Sequence, residues 1–247
     1  MKRMPHNAME GVEAPAVDDS ASEDVEARPE GQGKALHEKQ LAQVIDGFQT
    51  HSLGDFVRLA AQTGMRHGEL LAARWQDVDF EKSLLRVQRT VVDSGPGKPL
   101  TFAKPKTKRS LRAITLRADT LADLRSYRTR QAEQALAVGK RGELSADCLL
   151  FPYSIDEPRR PRNPGTVSSL FIQRARRLGF VGLRLHDLRH THGSLLIRVG
   201  VDIGVVSRCL GHANSAITLN VYQHMLPGMQ EGATDQIDQL IRKGAAQ

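Results

Sequence analysis

The chain is poor in cysteine, with only Cys148 and Cys209 among its 247 residues. Two cysteines provide neither a metal-binding spacing nor a disulfide framework, and both lie in apolar runs, so we expect them to be buried as small hydrophobic side chains. No apolar run reaches the roughly 18 residues of a membrane-crossing helix. The first residues, Met1-Lys2-Arg3, are not followed by the apolar core of a secretory signal. We therefore expect a cytoplasmic protein that has no membrane partner.

Large apolar residues are scarce over residues 1–34, where Glu, Asp, Ala, Pro, Ser and Gly dominate. Such a segment cannot bury enough surface to offset the entropy lost on ordering, so we expect a disordered acidic linker. Residues 1–33 hold eight acidic and three basic side chains, out of 28 acidic and 35 basic ones in the whole chain. Residues 34–247 therefore carry 32 bases against 20 acids, a net charge of +12. This charge suits a polyanion such as nucleic acid as partner.

Apolar periodicity predicts a mostly helical α+β fold. The spacing of Leu41, Val44, Ile45 and Phe48 indicates a first helix. Further helices are predicted at about 54–63, within 65–75, and at 118–137, 164–178, 187–199, 202–210, 215–224 and 232–243. Alternation and β-branched residues predict strands at 84–92, 101–102 and 112–116, a small three-stranded antiparallel sheet, with another short strand at 148–151. Along helix 118–137 we expect an inner stripe of Leu121, Leu124, Tyr127 and Ala132.

Two loops concentrate basic residues. One is a predicted hairpin tip over residues 104–110, and the other is the run 158–162. A charged tip is usually just solvated, but the bases of this one have no nearby acids, which favours contact with phosphate. The residues predicted to contact DNA are Lys104, Lys108, Arg109, Arg159, Arg160 and Arg162.

Residues suited to phosphate chemistry cluster in 186–222. His186 and Arg189 lie three apart near a helix start, so both project from one face, where helix N-termini also favour anions. With Arg66 added, two guanidinium groups could hold the two non-bridging oxygens of a phosphodiester. Glu69 lies three residues after Arg66, which allows either an ordinary surface ion pair or a carboxylate that holds the guanidinium in place.

The same stretch offers groups for covalent catalysis. The phenol of Tyr222 is a candidate nucleophile, and Lys106 could protonate a departing oxygen. His186 and His212 could bond the phosphate or manage the tyrosine proton. The histidines at 186, 190 and 192 also raise the possibility of a metal site. No carboxylate or cysteine pattern completes one, and helical spacing aligns only the first two, so we expect no metal.

Taken together, these residues resemble the tyrosine recombinase (phage integrase) family. The resemblance covers about 36–225 in the family's motif order. It rests on these motifs: Thr63-Gly64-Met65-Arg66-His67-Gly68-Glu69, Pro105-Lys106-Thr107-Lys108 with Arg112 beyond, His186-Asp187-Leu188-Arg189-His190-Thr191, Leu210-Gly211-His212, and Ile217-Thr218-Leu219-Asn220-Val221-Tyr222.

The resemblance implies a DNA integration and recombination reaction of the kind that mobile elements use. Arg66 and Arg189 would clamp the scissile phosphate, and Lys106 would be the general acid, with Lys108 as the alternative. The remaining roles are assistance by His186 and His212, bracing by Glu69, and nucleophilic attack by Tyr222. Attack by Tyr222 would form a 3′-phosphotyrosyl link and free a 5′-hydroxyl, and a second 5′-hydroxyl would then attack that link. No cofactor or metal is needed.

The resemblance also implies an organisation of the chain. Residues 35–226 would form the catalytic domain with the family's fold, 1–34 an acidic linker or remnant, and 227–247 a helical tail. Family members normally carry a core-binding domain before the catalytic one, and here only residues 7–15 resemble its end, so we expect a fragment. The expected partners are double-stranded DNA and further copies of the chain, as a tetramer on DNA in which the tail docks on a neighbouring protomer. The alternatives are a DNA-binding remnant without autonomous recombination and a relaxing enzyme of the type IB topoisomerase kind.

Overall fold

A computed structural model of the chain describes residues 35–95, 97–104, 111–140, 144–212, 218–219 and 242. The acidic linker predicted over 1–34 lies outside these residues, as does the tail predicted over 227–247, apart from residue 242. The predicted helices 215–224 and 232–243 lie outside them as well, apart from 218, 219 and 242. The predicted site residues that also lie outside are Lys106, Lys108, Arg109 and Tyr222.

Helices account for most of the described fold. They are α1 (Glu38–Gly47), α2 (Gly54–Thr63), α3 (His67–Ala72), α4 (Ala118–Ala137), α5 (Pro164–Arg177), α6 (Leu185–Arg198) and α7 (Ile203–Leu210), with a 3-10 turn at Trp75–Asp77. The bounds predicted for α2 and α4 are confirmed, and those predicted for α5, α6 and α7 agree within two residues. None of the described helices combines the length and the apolar character that crossing a membrane requires.

The ends of α2 and α7 follow from local sequence. Asp202 precedes α7, and its Oδ1 accepts hydrogen bonds from the N–H groups of Gly204 at 2.9 Å and Val205 at 3.1 Å. Gly64 follows α2 with φ of 61°, and Gly211 follows α7 with φ of 67°. Glycine adopts this left-handed conformation without the steric penalty of a Cβ, so both helices stop where the sequence predicts.

The described strands form two antiparallel sheets. They are β1 (Val78–Asp79), β2 (Leu84–Val87), β3 (Thr90–Val92), β4 (Thr101–Ala103) and β5 (Arg112–Thr115). In the first sheet the order is β1-β2-β5, and Leu85 pairs with both Val78 and Ile114. In the second sheet β3 pairs with β4, and Val91 lies opposite Phe102.

The predicted three-stranded antiparallel sheet is present, but its composition was predicted wrongly. The predicted strand 84–92 is two strands in different sheets, and the chain leaves the first sheet at Gln88 and Arg89. There the Arg89 side chain turns back to the 3-10 turn and donates to both carboxylate oxygens of Asp77 at 3.1 Å. The strands beside the predicted hairpin tip, β4 and β5, likewise pair in different sheets. The strand predicted at 148–151 is instead a buried segment with one isolated bridge, between Leu149 and Arg74.

Aromatic rings join the helices in one core. Phe48, directly after α1, stacks on Phe171 of α5 with ring centroids 5.1 Å apart. Phe56 of α2 meets Phe151 edge-on at 5.1 Å. Burying large rings in such pairs contributes strongly to stability, so these contacts hold the end of α1 against α5 and hold α2 against the buried segment 148–151.

Helix α4 covers the side of this core that includes Trp75. Leu121 and Leu124 are buried as predicted, whereas Ala132 is exposed, which contradicts the predicted stripe. Gln131 points inward instead, because it bridges two polar groups: it accepts a hydrogen bond from Trp75 Nε1 at 3.0 Å and donates to the carbonyl of Leu150 at 2.9 Å. A buried polar side chain with partners on both sides is well tolerated.

Candidate active site

Arg189 ties three helices together at one point. It lies in α6 and is 4% exposed. Its guanidinium donates to the carbonyl of Gly64 at 2.8 Å and to that of Leu210 at 2.6 Å. Those carbonyls belong to the ends of α2 and α7, where helix carbonyls lack intrahelical partners and carry partial negative charge. The cation is therefore held rigidly inside the fold.

Arg66, at the start of α3, contacts the turn at Leu210 and Gly211 that ends α7. It caps that helix in an extended conformation, and its backbone N–H donates to Glu69 Oε2 at 3.0 Å, as glutamate at the third helical position often allows. Its guanidinium donates to Glu69 Oε1 at 3.1 Å and lies 3.5 Å from the carbonyl of Gly211. The side chain is 37% exposed, so part of the guanidinium faces solvent, where a ligand can bind.

Glu69 is buried and accepts hydrogen bonds from two arginines, Arg66 and Arg112. Arg112 donates to both of its oxygens, at 3.1 and 2.9 Å, in addition to the bond from Arg66. Burial alone would raise the pKa of Glu69, but the hydrogen bonds and charge of Arg112, followed by those of Arg66, outweigh it and lower that pKa. The carboxyl group is thus ionised at neutral pH, and the surface ion pair that the spacing also allowed is excluded because Glu69 is only 4% exposed.

His186 lies on the same face of α6 as Arg189. Its ring meets that of His190 edge-on, with centroids 4.8 Å apart. Burial, then the charges of His190 and Arg189, lower the pKa of His186 to about 3. The third histidine of this run, His192, turns away and contacts the carbonyl of Ala61 at 3.0 Å through Nδ1. In the described parts of the chain, no three His, Cys, Asp or Glu residues are grouped as metal ligands.

His212 follows directly on the turn that both arginines contact. Its Nδ1 lies 2.7 Å from the hydroxyl of Thr218, and its backbone N–H donates to Ser207 at 3.1 Å. Burial, then the charges of Arg189 and Arg66, lower the pKa of His212 to about 3. Both site histidines are therefore neutral at physiological pH, and each can donate and accept a hydrogen bond.

The predicted residues that the structure brings together are Arg66, Glu69, His186, Arg189 and His212. The two guanidinium groups bind adjacent carbonyls, those of Leu210 and Gly211, and His212 comes next in the chain. A site with two guanidinium groups and neutral imidazoles is suited to an oxyanion, because fixed donors stabilise negative charge at little reorganisation cost. Of the remaining predicted catalytic residues, Lys106 and Tyr222 lie outside the described residues, and Thr218, four positions before Tyr222, is the hydroxyl partner of His212.

The predicted DNA contacts that the structure describes are differently placed. Lys104 is exposed where residues 105–110 begin. Arg159 pairs with Asp147 at 2.6 Å, and Arg160 pairs with Glu157 at 2.8 Å. The Nε of Arg162 donates to the carbonyl of Pro152 at 2.8 Å. Contact of these residues with DNA remains a prediction, and the three arginines of the 158–162 run already have partners within the protein.

Sequence reasoning missed Arg112 as a member of this network. Its side chain is 6% exposed and donates from Nε to the carbonyl of Cys209 at 2.8 Å. The sequence did contain a signal. Arg112 lies two residues before the half-buried Ile114 in β5, so the two side chains lie on the same face of the strand. The bond from Arg112 to the carbonyl of Cys209 could not be predicted from sequence, because every residue carries a backbone carbonyl that can accept.

Residues 34–228 match the model of the phage integrase family. The chain is similar to the tyrosine recombinase XerC-like protein of Caldanaerobacter subterraneus subsp. tengcongensis, at 30% identity over 224 residues, covering 87% of this chain and 56% of that protein. It is also similar to the ICEBs1 integrase of Bacillus subtilis, at 32% identity over 186 residues, covering 75% and 48% respectively. The chain thus spans about half the length of these curated relatives.

Solved structures share the fold. The Tn1549 transposon integrase, in complex with transposon right end DNA, superposes with a TM-score of 0.65 at 18% identity, covering 84% of this chain and 66% of that one. The XerA recombinase gives 0.59 at 22% identity with the same two coverages, 84% and 66%. These likenesses confirm the predicted α+β recombinase catalytic fold. With a family match over residues 34–228 added to this fold, the chain belongs to the phage integrase family of tyrosine recombinases.

Proposed function

We propose that the chain carries the catalytic part of a site-specific DNA recombinase that cleaves and rejoins strands through a 3′-phosphotyrosyl intermediate. The observation that supports this most is the convergence of Arg66 and Arg189 on the turn at Leu210 and Gly211. Two guanidinium groups beside neutral histidines suit a phosphodiester, whose transition state gains negative charge. The +12 charge of residues 34–247 favours double-stranded DNA as the source of that phosphate.

In the cleavage step, the Tyr222 oxygen attacks the phosphorus and the bond from phosphorus to the 5′-oxygen breaks. Arg66 and Arg189 bind the non-bridging oxygens, and Glu69 keeps Arg66 in place. The tyrosine proton passes to His186 or His212, whose pKa of about 3 in the free site rises when the negative charge of the phosphate binds beside them. Lys106 or Lys108 protonates the leaving 5′-oxygen.

In the rejoining step, the 5′-hydroxyl of another strand gives its proton to Lys106 or Lys108 and attacks the phosphotyrosine. The displaced Tyr222 oxygen takes back its proton from His186 or His212. One phosphate ester is exchanged for another at each step, so the reaction needs neither a nucleotide cofactor nor a metal ion. The same balance allows integration and excision.

The proposal assigns the catalytic domain to residues 35–226, a linker to 1–34 and an accessory tail to 227–247. The described basic residues Lys104, Arg159, Arg160 and Arg162 are proposed DNA contacts, together with Lys108 and Arg109. Recombination joins two duplexes with two cleavages in each, so we propose a tetramer on DNA. The substrate is chromosomal or mobile-element DNA, which places the reaction in the cytoplasm.

The experiment is covalent capture on a library of nicked duplexes with a randomised centre. A nick beside the cleavage point lets the short product diffuse away, so a covalent protein–DNA adduct accumulates and its DNA can be sequenced. We expect the wild-type chain and Tyr153→Phe, which removes the hydroxyl of an exposed tyrosine, to form the adduct. We expect none with Tyr222→Phe.

Other outcomes decide against parts of the proposal. An adduct that persists in Tyr222→Phe would overturn the nucleophile. Salt-dependent DNA binding without an adduct would indicate a DNA-binding remnant, and relaxation of supercoiled DNA without joining two DNAs would indicate a topoisomerase.

A further inference from the structure

A closed ring of contacts surrounds the candidate site, and Arg112 is its central link. Glu69 accepts from Arg66 at 3.1 Å and from Arg112 through both of its oxygens. Arg112 then reaches α7 by donating to the carbonyl of Cys209 at 2.8 Å. Two residues later, the carbonyl of Gly211 lies 3.5 Å from Arg66, which closes the ring.

Close packing at Gly211 shows how tightly Arg112 is fitted. A Cβ at position 211 would lie 2.8 Å from Arg112 Nη1, closer than side chains tolerate. Two features therefore favour glycine at position 211. Its φ of 67° is left-handed, and the guanidinium of Arg112 approaches its Cα closely. His212 follows Gly211 in the chain, so the turn that Arg112 contacts also sets where His212 begins.

The place of Arg112 in the chain adds a third connection. It opens β5, directly after the segment that holds Lys106, and pairs in register with Val87 of β2. Its backbone thus belongs to the sheet, while its side chain spans Glu69 and the end of α7. Arginine suits this role because its planar fork can bind a carboxylate through two nitrogens and leave Nε for another acceptor.

We propose that Arg112 is a positioning residue that sets Arg66, through Glu69, and His212, through the turn after α7, in a single arrangement around the scissile phosphate. The inference rests on the proposed function and deepens it. Arg112 itself is buried behind Glu69 and does not touch the phosphate.

The first test measures the rate of adduct formation and the DNA affinity separately. A small misplacement of groups that stabilise the transition state costs about 100-fold in rate. We expect Arg112→Met to slow adduct formation by about 100-fold while DNA affinity changes less than about threefold. Arg112→Lys, which keeps the charge but not the fork, should recover thermal stability more fully than it recovers the rate.

A matched control separates positioning from general destabilisation. Arg174 also donates to a backbone carbonyl, that of Gly47, at 3.0 and 2.6 Å, but lies in α5 outside the ring. Arg174→Met should lower the unfolding temperature without a comparable loss of rate at a temperature where both variants are folded. Equal rate losses in Arg112→Met and Arg174→Met would overturn the proposal.

A second test does not depend on catalysis. Burial, Arg189, Arg66 and His190 lower the pKa of His212, and the charge of Arg112 adds to them, so an NMR titration of the His212 ring reports on whether Arg112 acts at this imidazole. We expect its pKa to rise in Arg112→Met and to stay unchanged in Arg174→Met. An unchanged His212 titration in Arg112→Met sinks the positioning role, whereas absence of any adduct in the wild type, with the His212 shift present, counts against the proposed function instead.

Discussion

At the scale of residues, the site places several arginine side chains around the buried carboxylate of Glu69 and the carbonyls at the ends of two helices. Glu69 is the carboxylate shared by Arg66 and Arg112, whereas Arg189 is bonded to the carbonyls of Gly64 and Leu210. These contacts hold the guanidinium groups in place within the fold. The groups that would bind an incoming phosphodiester are therefore positioned before it arrives, and little reorganisation is needed for chemistry.

Burial within the site makes protonation of His186 and His212 unfavourable, and neighbouring positive charges add to this effect. Burial first, and then neighbouring positive charge, lower the pKa of His186 and His212 to about 3, from an ordinary value of 6.5. Below pH 6.5, His186 and His212 therefore bind protons in the unfolded chain but stay neutral in the folded chain until the pH approaches 3. These groups contribute stability that is fully present above pH 6.5 and is lost as the pH falls from 6.5 towards 3. Urea unfolding at pH 7.5 and pH 5 should show a lower unfolding free energy at pH 5.

Histidine variants test the source of this loss. A His186→Asn/His212→Asn double variant should lose less unfolding free energy between pH 7.5 and pH 5 than the wild type, since fewer suppressed protonation sites remain. His37→Asn, at an exposed position before α1, should behave as the wild type. Identical pH dependence in the double variant and the wild type would contradict the assignment.

At the scale of elements, the ends of helices form the site, and the end of α2 at Gly64 leaves little space for a larger side chain. The carbonyl of Gly64 accepts from Arg189, and a Cβ there would lie 2.7 Å from the ring of His192 and 2.9 Å from Leu210. Gly64→Ala should cost about 1 kcal/mol for the left-handed φ and about 1–3 kcal/mol more for overpacking. Urea unfolding measures the sum.

Gly200 supplies the matched control for this prediction. It follows α6 with φ of 83°, and a Cβ there would meet nothing within 4 Å. Gly200→Ala should therefore cost only the conformational part, about 1 kcal/mol. If the two variants lose the same unfolding free energy, the close approach of α2 and α6 at Gly64 is softer than the distances indicate.

The helices were predictable because their signals are local. Apolar residues at helical spacing placed α2 and α4 at their observed bounds, and Gly64 marked the end of α2. The strands were harder, because the alternating run 84–92 gives no sign that it changes sheets at Gln88 and Arg89. That change involves the bond from Arg89 to Asp77, twelve residues earlier, and periodicity carries no information on such contacts.

The residue types of the candidate site could be predicted from the sequence, but the hydrogen bonds between its residues could not. Arg66, His186 and Arg189 could be singled out because polar groups of these types are unusual in apolar segments. Arg112 could not be assigned a role, because its partners Glu69 and Cys209 lie 43 and 97 positions away. A buried arginine is tolerated only where such partners exist, and only the fold shows that they do.

At the scale of the whole molecule, the positive charge is divided between internal and external uses. Arg112 and Arg189 hold the fold around the site, and Arg159 is paired with Asp147. The count of 32 basic side chains over residues 34–247 therefore overstates the number of cations ready to meet DNA. Exposed basic residues such as Lys104 should account for a larger part of the electrostatic affinity than paired ones.

The salt dependence of DNA binding tests this division. Each phosphate neutralised by a basic side chain contributes about 0.9 to the slope of log Kobs against log salt concentration. Lys104→Gln should reduce the magnitude of that slope by about 0.9, and Arg159→Gln by less, because Asp147 already compensates its charge. Arg117→Gln removes a cation that is 88% exposed and lies outside both basic loops, so its slope should match the wild type. Equal changes in all three variants would mean that DNA responds to net charge alone, and the two basic loops would lose their predicted role as specific contact points.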